Sequence, residues 1–86
     1  MTIIRFTKHA REKFTVLDRH GFKVTEQQVI DTVRAPDRIE PGLRWVIAQK
    51  RISESHVLRV VYSRQDDEII IITFYPGRRS RYESQL

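Results

Sequence analysis

The sequence has 86 residues and a formal net charge of +5, from 16 Lys and Arg against 11 Asp and Glu. This length predicts one domain over residues 1–86, with a core of modest size. The absence of cysteine excludes disulfides, thiolate metal sites and a cysteine nucleophile, and it favours a cytoplasmic protein. No apolar stretch is long enough to span a membrane and no leader peptide opens the chain, so we expect no membrane partner.

Most of the cations are arginine, whose planar guanidinium group fits phosphate through two parallel hydrogen bonds. The charge therefore favours a polyanionic partner, either nucleic acid or an acidic protein, although solubility alone explains the same balance. The dispersed histidines (His9, His20 and His56) do not form a metal-binding motif. Since a glycine-rich phosphate loop is also absent, we expect no metal, no organic cofactor and no small-molecule ligand.

The first predicted elements are an apolar segment and a helix. Residues 3–6 predict a short strand or an apolar arm. Thr7 is a suitable N-cap for a helix over residues 8–20, and Gly21 is suitable for the C′ position that ends it.

The second predicted helix has the clearest local pattern in the sequence. Thr25 is followed three residues later by Gln28, which predicts a capping box. Val24 and Val29 occupy the two positions of a hydrophobic staple around that cap. Pro36 predicts the end of the helix, because it disfavours helical geometry in the residue before it.

Strands are expected in the rest of the chain, over residues 38–40, 44–52, 56–62 and 68–75. Pro-Gly pairs predict type II turns at residues 40–43 and 75–78. The second turn would fold the C-terminal arginines back over the sheet. The predicted fold is α+β, with two N-terminal helices packed on one face of a mostly antiparallel sheet of about four strands.

The central strand carries a cation between apolar neighbours. Arg59 lies between Val57 and Val61 on one face of that strand. An unpaired buried guanidinium group is costly, so Arg59 must be paired, extend to the surface or face a cleft. A salt bridge to an acid such as Asp37 or Glu40 is the structural alternative to a phosphate contact.

Two further features concern apolar residues. The run 69–74 is apolar on both sides of its strand, which predicts cover on both faces of the sheet or a sheltered concave face. Trp45 is expected in the core, in preference to a role as a base-stacking platform.

Four segments carry a resemblance: "FTKHAREKF", "RHGFKVTEQQVIDTVRAPDRI", "LRVVYSRQDDEIIIITFYPGRR" and "RYE". They resemble a set of small bacterial domains related to BrnT-type and RelE/ParE-type toxins of toxin–antitoxin pairs. The resemblance covers nearly the whole chain, and the order of elements is its strongest part. It implies a RelE/ParE-like sheet with a basic concave face opposite the helices. It also implies a toxin that cleaves RNA, including ribosome-associated mRNA, and that a small antitoxin blocks.

Members of that superfamily use dispersed Arg, Lys, His and Tyr side chains. Cleavage by the 2′-hydroxyl group needs a base, cations that neutralise the phosphorane and an acid for the leaving oxygen. An unperturbed imidazole titrates within about a unit of neutral pH, so His9 is the candidate base or acid. The resemblance implies a metal-independent endoribonuclease. Residues of the types that such proteins use give the catalytic candidates His9, Arg59, Tyr75 and Arg78. The RNA-binding candidates are Lys13, Arg79, Arg81 and Tyr82.

Structural and functional alternatives stay open at this point. His9 is also suited to a hydrogen bond with a loop carbonyl, and Lys13 to a solvated helix flank. RelE-like toxins often place catalytic groups on a C-terminal helix, but only ten residues follow Pro76, too few for a stable helix without tertiary support. The functional alternative is a non-catalytic nucleic-acid- or protein-binding module of the same fold, including ParE-like binding to a protein target.

Overall fold

The computed structural model describes residues 2–83 and has an α+β fold. The helices are α1 (Lys8–Arg19), α2 (Glu26–Arg34) and the single turn α3 (Arg79–Tyr82). The strands are β1 (Ile3–Phe6), β2 (Arg38–Pro41), β3 (Val46–Arg51), β4 (His56–Gln65) and β5 (Glu68–Arg78). They form one mixed sheet in the order β1-β5-β4-β3-β2, in which β1 is parallel to β5 and the other neighbours are antiparallel.

Both predicted helix starts are confirmed. The Thr7 hydroxyl accepts a hydrogen bond from the Ala10 N–H at 3.1 Å and donates to the Ile72 carbonyl at 3.1 Å, which ties α1 to β5. Gly21 follows α1 with φ at +84°, a conformation that only glycine adopts without strain. Thr25 and Gln28 form the predicted capping box, with bonds of 2.9 and 3.1 Å.

The hydrophobic core lies between the helices and one face of the sheet, which we call the helix face. The helices and the loop between them bury Ala10, Leu17, Val24, Val29 and Val33 against Ala48, Leu58, Val60, Tyr62, Ile69, Ile71 and Phe74 of the sheet. The Phe14 ring lies 4.6 Å from the Phe74 ring, so aromatic packing joins α1 to β5. The sheet face opposite the helices is called the open face.

The sheet has five strands where about four were predicted, because segment 3–6 joins β5 as a parallel strand. The prediction of a turn at Pro76-Gly77 is wrong. Both residues lie inside β5, where Pro76 is in register with Leu58 and Gly77 with Val57. The described pairing of β1 with β5 stops at Ile71, so β5 is an edge strand at Pro76. Because proline has no N–H, it costs no hydrogen bond on the unpaired side of such a strand.

A bulge determines which residues of the run 69–74 face the core. The β4–β5 register shifts between Val61 and Tyr62, so that Val61 faces Thr73 while Tyr62 faces Ile71. The extra residue, Ile72, bends the strand and lets both Ile71 and Phe74 reach the core. Ile72 and Thr73 therefore lie on the open face beside Val61.

Candidate binding surface on the open face

Arg59 is at the centre of the open face and is buried, with 6% of its surface exposed. Strand pairing sets a row of Arg38, Gln49, Arg59 and Tyr75 across β2, β3, β4 and β5. Since residues in register point to the same side of a sheet, these four long polar side chains converge on the open face.

The guanidinium group of Arg59 is hydrogen-bonded on all three nitrogens. Nε donates to the Tyr75 hydroxyl at 3.0 Å, Nη1 donates to Gln49 Oε1 at 2.5 Å, and Nη2 forms an ion pair with Glu40. The second oxygen of Glu40 lies 3.9 Å from Arg38 Nη2. These contacts supply the partners that a cation in an apolar strand requires, and the salt bridge to Glu40 is one of the predicted alternatives.

Protonation of Arg59 follows from two opposing causes. Burial disfavours the charged form, but hydrogen bonds to Tyr75 and Glu40 and the electrostatic interactions with both groups outweigh it and raise the pKa of Arg59 above its usual value. Stabilisation by a raised pKa is fully present below the unfolded-state pKa and is lost only as pH rises through the folded value. The guanidinium group of Arg59 therefore adds no pH dependence to stability near neutral pH.

Tyr82 covers the Arg59 guanidinium group from the solvent side. Its ring centroid lies 4.4 Å from Arg59 Cζ, a cation–π distance. The ring also lies against Gly77, where a Cβ atom would be only 2.2 Å from Tyr82 Cε2. Gly77 thus provides a flat surface that any other residue would block.

The short helix α3 is held by contacts outside its own turn, which supply the tertiary support that its length requires. The Arg79 N–H donates to the Ser55 carbonyl at 2.9 Å, and Arg79 Nη1 donates to the Glu54 carbonyl at 2.7 Å. Arg79 Nε also pairs with Glu83 at 2.6 Å, and Arg38 Nη1 donates to the Tyr82 carbonyl at 3.3 Å. These contacts hold the backbone of α3 in place, and packing against Gly77 and Arg59 sets the position of the Tyr82 ring.

The structure brings together only part of the predicted site. Arg59, Tyr75 and Tyr82 are in contact, and Arg81 Cζ lies 5.7 Å from the Tyr82 ring. Arg79 forms a salt bridge with Glu83 and donates a hydrogen bond to the Glu54 carbonyl.

Three other candidates lie away from this cluster. His9 and Lys13 are on α1, which packs on the helix face, so the sheet separates both from Arg59. Arg78 is in register with His56, whose ring contacts Phe22 on the helix side. Arg78 is exposed there and does not approach Arg59, because β5 continues where a turn was predicted. The structure therefore does not bring His9, Arg59 and Arg78 together, and the roles assigned to these residues stay predictions.

Sequence reasoning missed Gln49 and treated Glu40 only as a structural partner. A signal for Glu40 was present, because the period-two pattern of a strand puts Arg38 and Glu40 on one face. Which residue of β4 they meet depends on strand register, and a short sequence pattern does not fix that register.

Beside Tyr82 lies a cavity of about 400 Å³. Its lining residues are Tyr82, two arginines (Arg38 and Arg51), two acids (Asp37 and Glu83) and Gln49. Asp37 accepts the Arg51 backbone N–H at 2.9 Å, and Arg51 Nε donates to the Ser53 carbonyl at 3.3 Å. Arg51 is an exposed residue, so the terminal nitrogens of its guanidinium group are available to an anion in the cavity.

A second recess, which we call the apolar groove, lies farther along the open face and has a volume of about 640 Å³. Its apolar lining comes from Leu43, Trp45, Ile47, Val61 and Ile72. Leu43 is fully exposed and Trp45 is 54% exposed. The prediction that Trp45 lies in the core is therefore wrong, because β3 begins only at Val46 and Trp45 belongs to the exposed loop between β2 and β3.

Comparison of the chain with protein-family models, with curated proteins and with solved structures gives no match. Within residues 2–83, no helix combines the length and the apolar character that crossing a bilayer requires. The function of the site must therefore be inferred from the chemistry of its residues. Each nitrogen of the Arg59 guanidinium group already donates a hydrogen bond and Tyr82 covers the open side of the group, so a phosphate group reaches it only if this cluster rearranges. The accessible groups are the Tyr82 ring and the arginines around it.

Proposed function

We propose that the protein is a non-catalytic module that binds single-stranded nucleic acid, with RNA as the preferred ligand and with a RelE/ParE-like arrangement of its elements. The observation that carries the proposal is the Tyr82 ring, which is fixed on Gly77 and Arg59 and bordered by Arg38, Arg51 and Arg81. A base stacked on an aromatic side chain contributes about 1–3 kcal/mol, and neighbouring arginines attract the phosphates.

The fold supports the proposal in a second way. Two N-terminal helices cover one face of the sheet, and Tyr82 lies with Arg38 and Arg51 on the opposite, accessible face. Two N-terminal helices on one side of the sheet are compatible with the RelE/ParE-like layout that the sequence resemblance implies. The formal charge of +5 adds an attraction for polyanions that salt weakens.

The first prediction concerns the Tyr82 ring. We expect Tyr82→Ala to weaken binding of a fluorescently labelled single-stranded RNA of about 12 nucleotides by roughly five- to 150-fold, equivalent to the loss of one stacked base. Tyr82→Phe keeps the ring and is expected to bind within about twofold of the wild type. Fluorescence anisotropy at fixed salt measures both affinities, and circular dichroism confirms that each variant is folded.

Arg19→Ala is the matched control, since Arg19 is an exposed cation at the end of α1 on the other side of the molecule. We expect it to change affinity much less than Arg51→Ala. Equal losses in these two variants, or full affinity in folded Tyr82→Ala, would show that this surface is not the binding site.

A second candidate function is the metal-independent endoribonuclease of a toxin–antitoxin pair, inhibited by a small antitoxin. The observation that favours it is the ion pair of Glu40 and Arg59 next to Tyr75, which places a carboxylate base and a guanidinium group on one surface. Incubation of labelled RNA with the protein, with and without ribosomes, separates the two functions. Intact RNA agrees with the binding module, whereas cleavage that is lost in Glu40→Gln and kept in Arg19→Ala supports the nuclease.

A further inference from the structure

The apolar groove and the loop beside it form a surface that the described chain leaves uncovered. Leu43 and Trp45 are both exposed, and they are continuous with Ile47, Val61 and Ile72 of the sheet. The helices α1 and α2 pack on the opposite face, and α3 reaches only the Tyr82 region. Contiguous exposed apolar patches of this kind mark interaction sites, and tryptophan is a frequent anchor residue at interfaces.

We propose that this surface is a two-fold interface between two copies of the chain. A two-fold interface uses the same patch on both subunits, so the patch must contain both a projection and a recess that accepts it. Here the exposed side chains of Leu43 and Trp45 supply the projection, and they border a groove of about 640 Å³. That volume lies within the range of about 300–1,000 Å³ that accommodates small-molecule ligands, so it has room for an indole ring.

The groove also carries one exposed cation and one partly exposed carboxylate, so the charges of two copies can pair with each other. Arg44 is exposed, and no carboxylate of residues 2–83 forms a salt bridge with it. Glu40 also lines the groove, and its side chain is 40% exposed although it pairs with Arg59. A two-fold axis through the groove brings Arg44 of each copy towards Glu40 of the partner subunit, and carboxylate oxygens accept more than one hydrogen bond.

The dimer and the nucleic-acid site respond oppositely to salt. Each chain carries a formal charge of +5, and salt screens the repulsion between two copies more than it weakens the two pairs of Arg44 with Glu40, so it strengthens an interface that is mainly apolar. Salt weakens RNA binding because bound counterions compete with the protein. Measurements at two salt concentrations therefore distinguish failure of the dimer proposal from failure of the RNA-binding proposal.

Sedimentation equilibrium of the full chain tests the dimer, over concentrations from about 1 μM to about 1 mM and at about 0.1 M and 1 M salt. We expect a monomer–dimer equilibrium that shifts towards dimer at the higher salt. Leu43→Asp and Trp45→Ala are each expected to raise the dimer dissociation constant at least tenfold. Val16→Asp is the matched control, because Val16 is 42% exposed on α1, away from the groove, and should leave the equilibrium unchanged.

Fluorescence provides a second readout, since Trp45 is the one tryptophan in the sequence. Its emission should shift to shorter wavelength as concentration rises and the indole is buried. A monomer at every concentration, as expected if a different protein occupies the groove, overturns the proposal. A dimer that persists unchanged in both Leu43→Asp and Trp45→Ala also overturns it.

Discussion

Arg59→Ala is expected to lower the free energy of unfolding by about 3 kcal/mol, the lower end of the range for breaking a buried ion pair. The substitution leaves Gln49 and Tyr75 without their shared donor and removes the surface on which the Tyr82 ring rests. We take the lower end because the Glu40 side chain is 40% exposed and water can solvate it. For a domain of this size the loss corresponds to a decrease in Tm of about 12–24 °C.

Two matched variants separate the contributions of Arg59. Arg59→Met keeps much of the packing under Tyr82 and is expected to be more stable than Arg59→Ala. Arg64→Ala removes an exposed arginine from the other end of the same strand and should change stability by no more than about 0.5 kcal/mol. Denaturant unfolding measures all three free energies. If Arg59→Ala has the stability of the wild type, Arg59 is not the structural centre of this cluster.

Gly77→Ala is expected to destabilise the protein by about 1–3 kcal/mol, the usual effect of overpacking. The new methyl group would lie 2.2 Å from Tyr82 Cε2, so the ring has to leave its position over Arg59. Because the ring is also the proposed stacking surface, RNA affinity should fall to about the level of Tyr82→Ala.

A double-mutant cycle makes this prediction specific. Once Tyr82→Ala has removed the ring, the clash at Gly77 no longer exists. Alanine loses less backbone entropy than glycine in a strand, so Gly77→Ala should then be neutral or stabilising by up to about 1 kcal/mol. The sign of the effect thus changes with the residue at position 82. The same loss of stability in both backgrounds would exclude contact with Tyr82 as the cause.

Sequence patterns correctly predicted the features of the fold that are determined by residues close together in the sequence. The capping box of Thr25 and Gln28 and the glycine after α1 were correct because a helix end is determined within one turn of the chain. The Pro76-Gly77 turn was wrong because pairing with β4 determines the path of that segment more strongly than its own turn preference.

The candidate site was predicted less completely because it depends on register and on contacts between distant residues. The alternation in β4 indicated that Arg59 needs a partner, but the choice between Asp37 and Glu40 depends on how β2, β3 and β4 align. The position of Tyr82 over Gly77 depends on the path of the chain after β5. Trp45 was assigned to the core from its hydrophobicity alone, and hydrophobicity does not distinguish a core residue from an interface residue.

The central claim is that Arg59 stabilises the binding surface by packing against the Tyr82 ring, and that it does not itself contact phosphate. The salt dependence of RNA affinity tests it most directly, because each phosphate contact to a single strand contributes about 0.7 to the slope of log K against log salt concentration. We predict that folded Arg59→Met keeps the wild-type slope, while Arg51→Ala reduces its magnitude by about 0.7. A slope that falls in Arg59→Met and not in Arg51→Ala would contradict the claim.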